Sequence, residues 1–322
     1  MTRVFSGVRS SGRLHIGNYF GAIKSWIDLQ NKHESIFAVV DYHAITTPYN
    51  PKGMKRMVWD TILDFLAAGL NPKKTSIIIQ SQIPEHTELA WIFNTLTPVS
   101  WLDRLPTYRE KIEAHPQNAN MGLLDYPVLM AADILIYKAD IVPVGEDQIA
   151  HIDLANEIVK RFNYLYGPTF SRIKPFFSKG ARIMSLSDPT KKMSKTGGEG
   201  IGLYDEPEEI RDKIKKAVTD SGREIIMRED KPAISNLLLI YHLFSGKSIK
   251  AIEKKYQDKG YADFKKDLAE IIVKGLEPFR QKRKELEKKP RYVKKVVASG
   301  VDRARKIASK NLLEIKRKIG LI

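Results

Sequence analysis

The 322-residue chain contains no cysteine. Disulfide bridges, thiolate nucleophiles, iron–sulfur clusters and cysteine-rich zinc sites are therefore excluded. It also lacks an apolar run approaching the ~20 residues that span a bilayer. The opening MTRVFSGV leads directly into a predicted strand, with no secretory or transit segment. Its seven histidines show no ligand-like spacing such as HExxH. We therefore expect a cytoplasmic protein that supplies no metal ligands of its own.

Positive charge is concentrated towards the C-terminus. The formal net charge is +16, and residues 247–322 alone contain 24 Lys and Arg against 10 Asp and Glu. Such a field attracts polyanions, nucleic acid first and an anionic membrane second. No aromatic anchors accompany the basic run, which argues against a membrane-surface helix. A solvated helix surface remains the simpler alternative.

Short apolar runs alternate with helical periodicity in the first two thirds of the chain. Strands are predicted at 4–6, 36–40, 76–79 and 141–144, with a weaker candidate at 181–184. Helices are predicted at 18–32, 52–68, 85–95, 122–138 and 148–162, and then at 208–218, 234–244, 249–256, 264–287 and 293–319. This order predicts an α/β fold, with a Rossmann-type parallel sheet over 1–204 and an all-helical, basic region over 205–322. The last helix could pack back on the first domain.

Two segments nearly two hundred residues apart are suited to polyphosphate. In SSGRLHIGN, Gly17 and Asn18 open a helix whose N–H groups favour an anion, and His15 can donate to a phosphate oxygen. In DPTKKMSKT, Lys192 and Lys195 lie three residues apart on a loop rich in hydroxyl side chains. An ordinary strand–helix turn and a basic surface loop are the respective structural alternatives.

Two further segments contain isolated polar residues. In PVGEDQ, Gly145 and Asp147 follow a strand and suit either a ribose or a helix N-terminus. In YPVLMAADIL, Tyr126, Met130 and Asp133 share one helical face. An acid on an apolar face needs a donor, and either a ligand N–H or a structural Arg or Lys could supply it. A salt-bridged core acid is the default interpretation.

Taken together, these segments resemble the bacterial tryptophanyl-tRNA synthetases, which are dimeric class I enzymes. HIGN and KMSKT match the HIGH and KMSKS motifs, and the likeness continues through IFAVVDYHAIT, LMAADIL, GEDQ, KAVTDS and PAISNLLLIY. The resemblance implies ATP and tryptophan as substrates, Mg²⁺ bound through the ATP phosphates, tRNA(Trp) and a second copy of the chain as partners, and no iron–sulfur cluster. It also implies that the basic helical region reads the anticodon loop of the tRNA.

The resemblance also implies a set of site residues. The predicted tryptophan-binding residues are Asp133, accepting the indole N–H, with Phe5, His43 and Met130 around the ring and Tyr126 and Gln148 at the amino group. The predicted ATP-binding residues are Arg9, Ser10, Ser11, Gly17 and Asn18, then Gly145, Glu146 and Asp147 near the ribose, backbone of Ile183 and Met193 at adenine, and Lys192, Ser194, Lys195 and Thr196 at the phosphates. Lys192, Lys195 and His15 are the predicted catalytic residues, and Lys111 is a lesser phosphate candidate.

The chain departs from the family pattern at three places. Arg9 and Ser10 stand where the family usually has Gln-Pro, Asn18 replaces the final His of HIGH, and Thr196 replaces the last Ser of KMSKS. We expect Arg9 to alter the response to tryptophan-mimicking inhibitors, and equal sensitivity of an Arg9→Gln variant would count against this. Three alternatives stay open: a tyrosyl enzyme, an auxiliary paralogue and a non-catalytic RNA-binding regulator.

Overall fold

A five-stranded parallel sheet forms the centre of the N-terminal part. The computed structural model describes residues 2–114, 116–177, 181–194 and 200–322. The strands are β1 (Arg3–Val8), β2 (Glu34–Val39), β3 (Thr75–Ile79), β4 (Ile141–Val144) and β5 (Lys174–Phe177). They are ordered β3-β2-β1-β4-β5, and each neighbouring pair is parallel. The predicted Rossmann-type parallel sheet is therefore confirmed.

Helices cover the sheet and, joined by turns and loops, make up most of the rest of the described chain. In the first part these are α1 (Ile16–Asn18), a π-helical stretch (Tyr19–Ile23), α2 (Lys24–Leu29), α3 (Asp41–Ala44), α4 (Pro51–Ala68), α5 (Glu85–Asn94), α6 (Val99–Asp103), α7 (Pro106–Ala114), α8 (Met121–Leu135) and α9 (Ile149–Tyr166). The second part contains α10 (Pro207–Lys216), α11 (Pro232–Ser245), α12 (Ile249–Lys255), α13 (Tyr261–Glu287) and α14 (Pro290–Lys318). Short 3₁₀ turns lie at Gln80–Gln82, Pro116–Asn118 and Glu146–Gln148.

Local sequence explains the boundaries of the long helices. The Asn50 side chain caps α4 by accepting from the Lys52 N–H, Pro51 occupies its first turn, and Gly69 ends it with φ +112°. The segment predicted as one helix over 18–32 instead starts at Ile16 and passes through the π-helical stretch before α2. A π-helical insertion of this kind is frequent at functional sites.

The predicted strand at 181–184 is wrong, and a strand at 174–177 was missed. Met184 forms only an isolated antiparallel bridge with Lys192. The fifth strand, β5, has the sequence KPFF and is exposed along its whole length. Proline and the lack of alternation both argue against a strand, and such a sequence is tolerated only at the edge of a sheet, where β5 lies.

The strand order positions the predicted motifs. It reverses between β1 and β4, and open α/β sheets bind ligands in the crevice at the carboxyl ends of such strands. The carboxyl end of β1 leads to the HIGN segment, and that of β4 leads to GEDQ. Both motifs therefore flank the same crevice.

One buried cluster joins the two parts of the chain. It contains Val4 and Ile77 from the sheet together with Leu237 and Phe264 from the helical part. Helix α13 packs on α4, and α14 packs on β3 and α5. A domain boundary near residue 205 stays a prediction. None of the helices in the described part of the chain is both long and apolar enough to cross a bilayer.

Candidate active site

The HIGN and KMSK segments lie against each other. His15 caps α1, and the backbone N–H of Ile16 donates to the carbonyl of Ile201 at 2.9 Å. A Cβ built on Gly17 would lie 3.7 Å from the Cβ of Met193, in ordinary contact. The fold therefore brings together two motifs that are far apart in sequence. Lys195 and Thr196 lie outside the residues that the structure describes.

The KMSK segment also meets GEDQ. The Nζ of Lys192 lies 3.6 Å from Oδ1 of Asp147, and both side chains are more than half exposed. Partial burial raises the pKa of Asp147, but the hydrogen bond from Gln148 and the charge of Lys192 outweigh it, so that the pKa is lowered. An exposed cation and an ionised carboxylate thus face each other where the KMSK and GEDQ segments meet.

Asp133 lies on α8, and two of its partners, His43 and Gln80, follow the carboxyl ends of β2 and β3. Its side chain is almost completely buried and receives hydrogen bonds from three residues. His86 Nδ1 lies 2.6 Å from Oδ1, and His43 Nε2 lies 2.7 Å from Oδ2. The Nε2 of Gln80 is 2.7 Å from Oδ1 and 2.9 Å from Oδ2. The donors are therefore two imidazoles and an amide, whereas the sequence suggested an Arg or Lys as the structural alternative.

These donors keep Asp133 ionised. Burial alone would raise the pKa of its carboxyl, but the hydrogen bonds from His43 and His86 lower it to about 2. A carboxylate of this kind can only accept hydrogen bonds. The site therefore contains a fixed acceptor that stays charged at any physiological pH.

Among the other residues predicted for tryptophan, Phe5 and Tyr126 lie beside the histidines that bond to Asp133, whereas Gln148 donates to Asp147. The Tyr126 hydroxyl lies 2.8 Å from His151 Nε2, and the Tyr126 ring meets that of His43 at 6.2 Å between centroids. The Phe5 ring stacks on Tyr137 with a centroid distance of 5.4 Å. Met130 packs beside the same core. Their predicted contacts with the substrate stay predictions.

The residues predicted to bind the nucleotide differ in their burial and in their contacts. Burial lowers the pKa of the half-buried Arg9, and neighbouring Tyr126 opposes this. The backbone N–H of Met193 donates to the carbonyl of Ile183 at 3.1 Å, so these two adenine candidates bond to each other. The Ser10 side chain is fully buried. The structure also describes Ser11, Asn18, Gly145 and Ser194, whose contacts with ATP stay predictions. The side chains of Lys111 and Glu146 lie outside what the structure describes.

Four contributors were missed from sequence: Gln80, His86, Tyr137 and His151. Gln80 and His86 belong to QSQIPEH, which directly follows β3. Polar residues at the carboxyl end of a parallel strand are a recognisable signal of a site. In the described part of the chain, no group of three or more His, Asp and Glu side chains is arranged to hold a metal ion.

Comparisons with known proteins show which family the chain is similar to. A family model described as tRNA synthetases class I (W and Y) matches residues 1–277. A tryptophan–tRNA ligase of Wolinella succinogenes is 43% identical, over 99% of both chains. A tryptophanyl-tRNA synthetase structure from Mycoplasma pneumoniae superposes with a TM-score of 0.90 at 31% identity, covering 99% of this chain and 98% of the other. One from Campylobacter jejuni, complexed with ADP and tryptophan, has a TM-score of 0.86 at 34% identity, covering 99% and 100%.

Proposed function

Because the chain belongs to the class I tRNA synthetases for tryptophan and tyrosine, we propose that it is a tryptophan–tRNA ligase. It activates L-tryptophan with ATP and transfers it to the 3′-terminal adenosine of tRNA(Trp). The observation that supports this assignment most directly is the buried, ionised Asp133. A fixed acceptor suits an indole N–H, whereas the ring of phenylalanine offers it no donor.

The chemistry proceeds in two balanced steps. The tryptophan carboxylate attacks the α-phosphorus of ATP, giving tryptophanyl-adenylate and pyrophosphate. The 2′-hydroxyl of the terminal adenosine then attacks the adenylate carbonyl, and AMP leaves. The protein contributes orientation and charge compensation. Lys192 supplies one movable cation at the crevice, and Lys195 is its proposed companion. Mg²⁺ held by the ATP phosphates would neutralise charge on their oxygens.

The relative bound to ADP and tryptophan supports placing both substrates in this crevice. Asp147 and Gly145 are the proposed ribose contacts, and Tyr126 and Gln148 are proposed to meet the amino group of tryptophan. His15, Gly17 and Asn18 are proposed to line the ATP phosphates.

Partners follow from the same proposal. The basic C-terminal helices are proposed to bind tRNA(Trp), whose splayed anticodon bases are accessible to side chains.

Large apolar side chains are exposed on α5, α6 and α8, at Trp91, Val99 and Met121. Since α8 packs against both other helices, we propose that this face joins two copies of the chain. The cytoplasm, where tRNA is charged, is the proposed location.

ATP–pyrophosphate exchange with each of the twenty amino acids, with and without Mg²⁺, tests this proposal. We expect exchange with tryptophan alone, and only with Mg²⁺ present. Exchange with tyrosine would overturn the amino-acid assignment while leaving the family intact. The absence of exchange with every amino acid would contradict an active synthetase and favour an RNA-binding regulator.

A further inference from the structure

A second histidine lies behind Asp133 and has no part in the proposed chemistry. His86 is the second residue of α5, and its side chain is fully buried. Its Nδ1 lies 2.6 Å from Oδ1 of Asp133, and its Nε2 lies 2.7 Å from the hydroxyl of Tyr137. The imidazole thus bridges the acceptor of the site and a buried tyrosine.

The partners determine where the proton of this imidazole lies. Ionised Asp133 can only accept, so Nδ1 of His86 carries the hydrogen and donates it. Burial, together with the charges of Asp133 and Glu85, raises the pKa of Tyr137 well above its ordinary value. The Tyr137 hydroxyl therefore keeps its proton and can donate it to Nε2. This arrangement holds the imidazole in one tautomer and one orientation.

The two oxygens of Asp133 have different surroundings. Oδ1 faces His86, whereas Oδ2 faces His43, whose ring lies beside Tyr126 in the predicted tryptophan site. Gln80 reaches both oxygens. The hydrogen bond from His86 to Oδ1 restricts rotation of the carboxylate. It leaves Oδ2 on the side of His43.

The backbone that carries His86 is itself held in place. The preceding residue, Glu85, accepts hydrogen bonds from Arg305 and Ser309 of α14. The start of α5 is therefore anchored from outside, while His86 points inward. These contacts hold the backbone from which the imidazole extends.

We propose that His86, oriented by Tyr137, is a positioning residue that fixes the Asp133 carboxylate as the acceptor of the indole N–H. This rests on the proposed function, because it assumes that tryptophan is the substrate. A histidine that only fills the core would stabilise the fold but would leave amino-acid discrimination unchanged. The two roles therefore differ in selectivity.

Two variants separate the role of each imidazole nitrogen. In His86→Asn, the amide nitrogen can take the place of Nδ1 and keep the donor to Asp133. In His86→Gln, the longer side chain carries its amide towards Tyr137 and removes that donor. Tyr137→Phe leaves the imidazole in place but removes the hydroxyl that orients it.

The experiment measures ATP–pyrophosphate exchange with tryptophan and with 3-(benzothiophen-3-yl)alanine, an isostere in which sulfur replaces the indole N–H. For His86→Gln we expect the KM for tryptophan to rise, and the tryptophan-to-isostere ratio of kcat/KM to fall about 10-fold to 100-fold, as for a lost hydrogen bond to a charged group. The isostere itself should be used about as well as by wild type. His86→Asn should keep the ratio within about threefold, and Tyr137→Phe should give an intermediate loss.

Three outcomes would overturn the inference. The ratio could stay at the wild-type value in His86→Gln, or fall equally in His86→Asn and His86→Gln. The thermal midpoint could also drop in all three variants while the ratio is unchanged, which would indicate a structural role. If His86→Gln does not fold, Tyr137→Phe provides the test. Failure of the proposed function is separately visible, because wild type would then show no exchange with tryptophan.

Discussion

Two buried charge clusters in this molecule are built in opposite ways. At Asp133, a single carboxylate is surrounded by the amide of Gln80 and the imidazoles of His43 and His86, with no Lys or Arg among these partners. At Arg283, on α13, a single guanidinium is surrounded by carboxylates. It pairs with Asp60 at 2.6 Å, Glu287 at 3.1 Å and Asp64, and lies over the Tyr204 ring at 4.9 Å.

The two clusters have different roles. The attachment cluster, Arg283 with Asp60, Asp64 and Glu287, joins α13 to α4. The recognition cluster, Asp133 with Gln80, His43 and His86, holds the proposed acceptor for tryptophan. The Arg283 cluster compensates charge with charge across α4 and α13. Burial lowers the pKa of its guanidinium, and Asp64, Asp60 and Glu287 more than reverse this. The Asp133 cluster keeps one negative charge uncompensated by any fixed cation. Burying such a carboxylate costs more free energy, but its oxygens can accept a hydrogen bond from a bound ligand.

Breaking the attachment cluster should have the largest effect on stability. Arg283→Met leaves Asp64 buried without its cation, and we expect the free energy of unfolding to fall by about 3–5 kcal/mol. Urea unfolding followed by circular dichroism measures it. In ATP–pyrophosphate exchange, the molecules of this variant that remain folded should have the wild-type KM for tryptophan.

The double variant Arg283→Met, Asp64→Leu is the matched control, because it removes both charges and should recover much of the loss. If Arg283→Met instead weakened tryptophan use without destabilising the fold, the distinction between the two clusters would be wrong.

Changing the recognition cluster should affect activity most. Asp133→Asn replaces one accepting oxygen by a donor that faces other donors, and we expect kcat/KM for tryptophan in exchange to fall about 100-fold. The KM for ATP should change little, because the hydrogen-bond partners of Asp133 are His43, Gln80 and His86, none of which is a predicted ATP-binding residue. A variant that retains more than a tenth of wild-type kcat/KM would show that the indole N–H is not read here.

The same carboxylate should give the fold a defined response to acid. Its folded pKa is about 2 against an ordinary value of 3.8. A lowered folded pKa adds stability that is fully present above the unfolded pKa, so the contribution is constant above about pH 4. It should be lost as the pH falls towards 2, by about 2 kcal/mol. Unfolding free energies measured across this window should be less steep in Asp133→Asn, and equal slopes would contradict the assignment.

The smallest effect is expected at an exposed pair. Lys282 lies next to Arg283 in sequence but contacts Glu285 at the surface, at 2.8 Å. Solvent screens such pairs almost completely. Lys282→Ala should leave both the thermal midpoint and exchange unchanged within measurement error. A clear loss of either would show that position along α13, and not burial, determines the effect.

Sequence predicted the elements better than the contacts between them. Periodicity predicted four strands, their parallel direction and the helical C-terminal part. It did not predict β5, because Pro175 interrupts the pattern of that strand. Asp133 was recognisable as an acid on an apolar face. Its donors were not, because Gln80 and His86 are 53 and 47 residues away and meet it only through strand order.

Arg283 shows the same limit more strongly. Its partner Asp64 is 219 residues away, and one Lys- and Arg-rich segment contains both this buried cation and the exposed Lys282. The density of positive charge identified the segment in the sequence. Only the packing of α13 on α4 shows that Arg283 is buried and Lys282 is exposed.

The packing of α14 on β3 has a consequence for the chain as it is synthesised. β3 is an edge strand, and Arg303 of α14 donates to the carbonyls of Pro72 and Thr75 beside it. Arg303 follows Ser76, another of its partners, by 227 residues. At ~5–20 residues per second, the ribosome needs roughly 10 to 45 seconds to cover that distance. During this time the nascent sheet presents an open edge that can pair with another chain. Translation speed and chaperone access over this interval therefore bear on the yield of native protein.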